Sequence, residues 1–147
     1  MKTLKYLSFL LFAFVLSAGF ASCSDDDEEE IDPSAIVGTW EAVWDEGYDI
    51  YYDDPEYNKE WSNAVSDDPL IFNADGTGYE RYVGNGKFSW KLEGNQLTII
   101  KEIIHNEYYL TEIRKVLKLN SSEMILEYSE QKKLYEHYFK TTFKKVE

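Results

Sequence analysis

The sequence predicts an all-β fold, an eight-stranded antiparallel barrel of up-and-down topology. Three observations carry that expectation. Between Leu70 and Ile103 the chain is punctuated by Asp75-Gly76, Asn85-Gly86 and Gly94-Asn95, and glycine and asparagine accept the positive φ that tight hairpin turns demand. Within this stretch Phe88, Trp90 and Leu92 alternate with Lys87, Ser89 and Lys91, the period of two that marks a strand with one dry and one wet face. Eight runs of this kind follow one another with mostly short connections, which suits a meander closed on itself.

The first 33 residues stand apart from that pattern. Lys2 and Lys5 precede an apolar run from Leu7 to Phe20, too short to span a bilayer comfortably, so residues 1–22 read as a secretory signal peptide. The run ends in Phe20-Ala21-Ser22-Cys23, which resembles a bacterial lipobox, where small residues precede a cysteine that is cleaved and acylated. Cys23 is the only cysteine, so no intrachain disulfide competes with that role. The lipoprotein reading is preferred to a plain secretion signal ending near Ala21. Several acyl chains anchor stably, each buried methylene contributing about 0.8 kcal/mol. Asp25 to Glu30 is an unbroken acidic run that stays solvated and extended. It resembles the export signal of lipoproteins displayed on the outer surface of some Gram-negative bacteria. Residues 23–33 are thus a lipidated cysteine and an acidic tether, and residues 34–147 a single domain.

Within that domain, Ser34 to Val37 suits one helical turn capped by Ser34. The first strand is expected from Thr39 to about Trp44, with Trp40, Ala42 and Trp44 on one face. The others follow at Leu70–Asn73, Gly78–Val83, Lys87–Leu92, Gln96–Ile103, Tyr109–Leu119, Met124–Ser129 and Tyr135–Val146. In an up-and-down barrel the first and last strands are antiparallel neighbours, so Trp40 should meet the Lys140 to Val146 end.

The long connection from Asp45 to Asp68 carries nine acids, one lysine and five aromatics. A connection of this length in a compact domain is usually functional or mobile. Asp54-Pro55 reads as an N-cap followed by proline at the first helical position. Tyr57, Trp61 and Ala64 then share one face of a short helix. The aromatics either plug the barrel end as core or form a lid over a ligand, with Tyr57 and Trp61 facing inward.

Gly38-Thr39-Trp40 resembles the G-x-W signature that opens the first lipocalin strand. The hairpins at Phe72 to Gly78 and Trp90 to Leu97 resemble those of the bacterial lipocalin-like domain family, whose members are often secreted lipoproteins. The resemblance spans about Ser34 to Val146. It implies a barrel closed by a basic residue of the last strand against the tryptophan. Here the candidates are Lys140, Lys144 and Lys145, which can make a cation–π contact. It also implies an outer-membrane, lipid-anchored protein at the cell surface whose barrel binds a small, mainly apolar ligand. Trp44, Tyr52, Tyr57, Trp61, Phe72 and Trp90 are the candidate ligand-binding residues. The alternative is a solid barrel that serves as a protein- or glycan-interaction module through exposed tyrosines and acidic loops.

Other chemistries find little support. The net charge of −13 disfavours nucleic acid, whose phosphates select basic surfaces, and anionic lipid headgroups. His105 and His137 fall in no zinc motif and read as exposed polar residues. The acids show no EF-hand spacing, and Ser121-Ser122 lacks a nucleophile-elbow context. No cofactor, metal or catalytic residue is assigned, and the chain is read as a non-enzyme.

Overall fold

The computed structural model describes residues 31–81, 86–103 and 108–146. The signal segment, Cys23, the acidic run and His105 lie outside the described residues. Nine strands build one antiparallel sheet: β1 (Gly38–Tyr51), β2 (Lys59–Ala64), β3 (Leu70–Phe72), β4 (Thr77–Tyr79), β5 (Lys87–Glu93), β6 (Gln96–Ile103), β7 (Tyr108–Leu119), β8 (Glu123–Gln131) and β9 (Tyr135–Lys145). Each strand from β3 to β9 pairs with the next, and β9 returns to β1. The result is the expected closed eight-stranded barrel, with β2 as an additional strand.

Along one edge, β1 pairs with β9 from Trp40 to Tyr51. Its other edge serves two partners, β3 at Gly38 to Trp40 and β2 at Trp44 to Asp49. So β2 and β3 are two pieces of one run, interrupted at residues 65–69. Pro69 ends the interruption; it has no N–H to give a ladder. Val65 still donates to Val43 O at 3.2 Å.

This corrects the expectation for residues 45–68. The first strand does not stop at Trp44, and most of the connection is wall. Its inward and outward residues alternate with period two through Tyr51, a signal that the many acids obscured. A helical turn does follow Asp54, but it spans only Pro55–Tyr57. Trp61 and Ala64 lie on β2, where backbone pairing to β1 replaces helical hydrogen bonds. A further correction concerns Trp44. A bulge between Ala42 and Trp44 in the β1–β9 register adds one residue and reverses the parity. Trp40 and Ala42 point inward, whereas Trp44 is 42% exposed on the outer wall.

The lower end of the barrel is packed solid. Trp40, Phe72, Leu97, Ile99, Val116, Leu119, Met124 and Leu126 are all buried there. Phe72 meets Phe88 and Trp90 edge-on, with centroids 5.6 and 5.5 Å apart. Gly78 stands opposite both Phe72 and Phe88. A Cβ at Gly78 would collide with the Phe88 ring, so the glycine makes room for it. A 3-10 turn over Pro33–Ile36 seals this end, with Asp32 rather than Ser34 as its cap: Ser34 N donates to Asp32 Oδ1 at 2.9 Å.

Closure occurs where the first and last strands were expected to meet. Trp40 is in register with Lys145, whose ammonium lies 5.1 Å from the Trp40 ring centroid and donates to Ala35 O at 2.8 Å. The indole N–H of Trp40 donates to Ile36 O at 2.7 Å. Of the three candidate lysines, Lys145 makes the contact with the tryptophan.

Candidate functional site

The upper half of the barrel encloses a cavity of about 360 Å³. Its floor is Ala42, Leu70 and Phe143, directly above the packed core. Small-molecule sites commonly fall in the range of roughly 300–1,000 Å³.

One wall is aromatic. Trp61 of β2 and His137 and Phe139 of β9 line it, and Tyr128 of β8, outside the lining, continues the chain of ring contacts. The centroids lie 6.3 Å apart for Trp61–His137, 5.3 Å for His137–Phe139 and 5.1 Å for Tyr128–Phe139. Gly47 lies between Trp61 and Phe139 in the sheet register. A Cβ on Gly47 would lie 2.7 Å from Trp61 Cζ2. The absent side chain lets the indole lie across β1. Trp61 is fixed by its N–H, which donates to Asp45 Oδ2 at 2.7 Å, and Thr141 Oγ1 donates to Asp45 Oδ1 at 2.7 Å.

The facing wall is charged, supplied by Asp67 and Asp68 of the β2–β3 break, Glu80 after β4 and Arg114 of β7. Behind it stands an ionic cluster. Lys101, only 4% exposed, has its ammonium 2.6 Å from Glu80 Oε2 and 3.2 Å from Glu112 Oε2. Arg114 pairs with the other Glu112 oxygen and lies 5.4 Å from the Phe139 ring. Burial pushes the Glu112 carboxyl up, but Arg114 and Lys101 outweigh it and hold the acid below its ordinary value. Such a network ties Lys101, Glu112 and Arg114 to one another.

At the mouth Asp49 is buried between two strands' bases. It pairs with Lys59 Nζ at 2.9 Å and with His137 Nδ1. Burial raises its carboxyl, and the hydrogen bonds from Lys59 and His137 bring it below the usual range. The Lys59 ammonium also lies 5.2 Å from the Trp61 ring.

The expected ligand-binding residues are not gathered at the cavity. Trp61 lines the cavity. Phe72 lies below it in the core, and Trp90 packs at the closed end with its N–H donating to Thr77 O at 2.9 Å. Trp44 faces outward. Tyr52 is 49% exposed at the rim, where its hydroxyl donates to Glu136 Oε2 at 3.0 Å. Tyr57 is 68% exposed, so it does not face inward. The sequence reading missed Asp45, Arg114, Phe139 and Thr141, and placed His137 on the surface. Parity holds the signal: Tyr135, His137, Phe139, Thr141 and Phe143 alternate along β9, so His137 shares the face of buried Phe143.

The class that the fold and cavity define is an antiparallel barrel with a filled lower half and a polar, part-open upper chamber. Comparison with protein families, with curated proteins and with solved structures finds no match for this chain.

Proposed function

We propose that the chain is a lipoprotein of the lipocalin-like kind, anchored through acylated Cys23 in the outer membrane and displayed at the cell surface, whose barrel binds one small, mainly apolar molecule. The observation that carries the binding reading is the 360 Å³ cavity with its apolar floor and aromatic wall. The charged groups opposite would orient a ligand rather than react with it, because Lys101, Glu112, Arg114, Asp49 and Lys59 already pair with one another. The anchoring reading rests on the position and uniqueness of Cys23 and on the acidic run that follows.

Titration of the full-length protein with the neutral, polarity-sensitive dye N-phenyl-1-naphthylamine tests the binding reading. Saturable enhancement at one site is expected; a linear, unsaturable rise would remove it. The same result would favour the rival interaction module, for which the exposed Tyr51–Tyr57 edge contact at the rim is the supporting feature. For the anchor, Cys23→Ala should abolish lipid labelling and processing. A processed, labelled variant in the membrane fraction would refute it. Replacing Asp25 to Glu30 with serine and glycine should keep acylation but reduce protease access on intact cells, and unchanged access would leave the run as a spacer.

A further inference from the structure

The chemistry of the two walls allows the ligand of this chamber to be specified further, on the premise that the chamber binds a small molecule at all. The cavity lining holds four carboxylates, Asp45, Asp67, Asp68 and Glu80, against two fixed cations, Lys59 and Arg114. Those cations are already committed to carboxylates outside the lining, Lys59 to Asp49 and Arg114 to Glu112. The lining acids are served less well. Glu80 has the charge of Lys101, but its Oε2 is buried without an aligned hydrogen bond. Asp68 takes Arg81 on Oδ1 at 3.2 Å, while its Oδ2 is buried with no hydrogen-bond donor among the described residues. Asp45 and Asp67 have no basic partner among the described residues. Asp45 is held by two neutral donors, an indole N–H and a hydroxyl. Each carboxylate oxygen has a second acceptor site, so Asp45 can still receive a donor from within the cavity.

The aromatic wall complements this. Trp61 is clamped by Asp45 and presents its ring to the chamber, and that ring already takes an ammonium, that of Lys59, at 5.2 Å. An indole face and a carboxylate a few ångströms apart attract one kind of group: a cation carrying N–H donors. An anion would meet the carboxylates without a free counter-charge.

We propose that the chamber selects a small organic cation, an amine joined to an apolar or aromatic body, with the ammonium received by Asp45 and the Asp67–Asp68 edge and the body stacked on Trp61 and Phe139. The charge selects the ligand and the aromatic wall holds it.

The test is calorimetric titration of the full-length protein with three compounds that share one ring: tryptamine, its neutral alcohol tryptophol, and the anion indole-3-propionate. Tryptamine should bind saturably and at least about tenfold more tightly than either analogue, the scale of a charge-assisted hydrogen bond. Asp45→Asn keeps an acceptor for Trp61 and should remove roughly tenfold of the tryptamine affinity while leaving tryptophol unchanged. Asp67→Asn, at an exposed position, gives a second reading if Asp45→Asn fails to fold, and should weaken tryptamine alone. If all three compounds bind with equal affinity, or the anion binds best, the cation assignment is overturned while small-molecule binding stands. If none binds but the neutral dye does, the assignment fails by itself. If neither the series nor the dye binds, both readings fall together.

Discussion

The two halves of this barrel share their strands and differ in what those strands point inward. β1 carries Trp40 and Ala42 below and Asp45, Gly47 and Asp49 above. β6 carries Leu97 and Ile99 below and Lys101 above, and β7 carries Val116 below and Arg114 and Glu112 above. On each of these strands the inward residues change from apolar to charged toward the mouth, but not in one register row, since Arg114 pairs with Leu97 and Glu112 with Ile99. Below that change, side chains fill the space and exclude water, so stability comes from apolar burial and close packing. Above it, the groups are held by ion pairs and hydrogen bonds. An eight-stranded barrel is just wide enough to be filled or to hold one small ligand; this one is filled in its lower half and leaves a cavity of about 360 Å³ in the upper.

The comparison predicts that truncations below the boundary cost the most. Trp40→Ala removes a fully buried indole, its bond to Ile36 O and the Lys145 contact. The expected loss is about 3–5 kcal/mol, read as a large drop in melting temperature. An unaltered melting temperature would dismiss the closure at this end.

Above the boundary the charge network should dominate. Glu112→Gln strips Arg114 of its carboxylate and leaves Lys101 with Glu80 alone. Breaking such a buried set costs roughly 3 kcal/mol, at the low end of its range because Glu80 remains. The pH dependence follows from the lowered carboxyl of Glu112. A folded value below the unfolded one, about 4.3, means that its stabilisation is complete above the unfolded value and is lost as pH falls through the folded value. Thermal melts of wild type between about pH 5 and pH 2 should decline more steeply than those of Glu112→Gln. Parallel curves would separate Glu112 from acid stability.

At the rim the effect should be smallest. Tyr57 is exposed and touches little beyond Tyr51, so Tyr57→Ala should stay within about 0.5 kcal/mol of wild type. It should also leave dye binding intact. A clear loss of dye affinity would restore Tyr57 to the lid role that its exposure argues against.

What could be read from the sequence divides along the same boundary. The lower half was legible because its inward residues are apolar: Phe88, Trp90 and Leu92 alternate against lysine and serine, and the turns at Asp75-Gly76 and Gly94-Asn95 set the register. The position of Trp40 against the last strand followed from topology alone. The upper half was hidden because a charged residue reads as solvent-facing whichever way it points. Asp45, Asp49, Lys101 and His137 all keep the period of two, but a hydrophobicity pattern cannot register an inward acid. The bulge at Ala42/Trp44 was equally invisible, and it moved Trp44 from the inner to the outer face. The segment 45–68 misled for both reasons at once, since its alternating wall looked like an acidic loop with a helical patch.

The most direct test of the split between filled and hollow halves uses the indole N–H resonances of the full-length protein. Trp40 donates to Ile36 O in the packed end, and Trp61 donates to Asp45 in the chamber wall. In a proton–nitrogen correlation spectrum, titration with N-phenyl-1-naphthylamine should shift the Trp61 indole signal saturably and leave that of Trp40 in place. Saturable dye binding that moves Trp40 as far as Trp61, or leaves Trp61 unmoved, would contradict the division of the barrel into a solid floor and a ligand chamber.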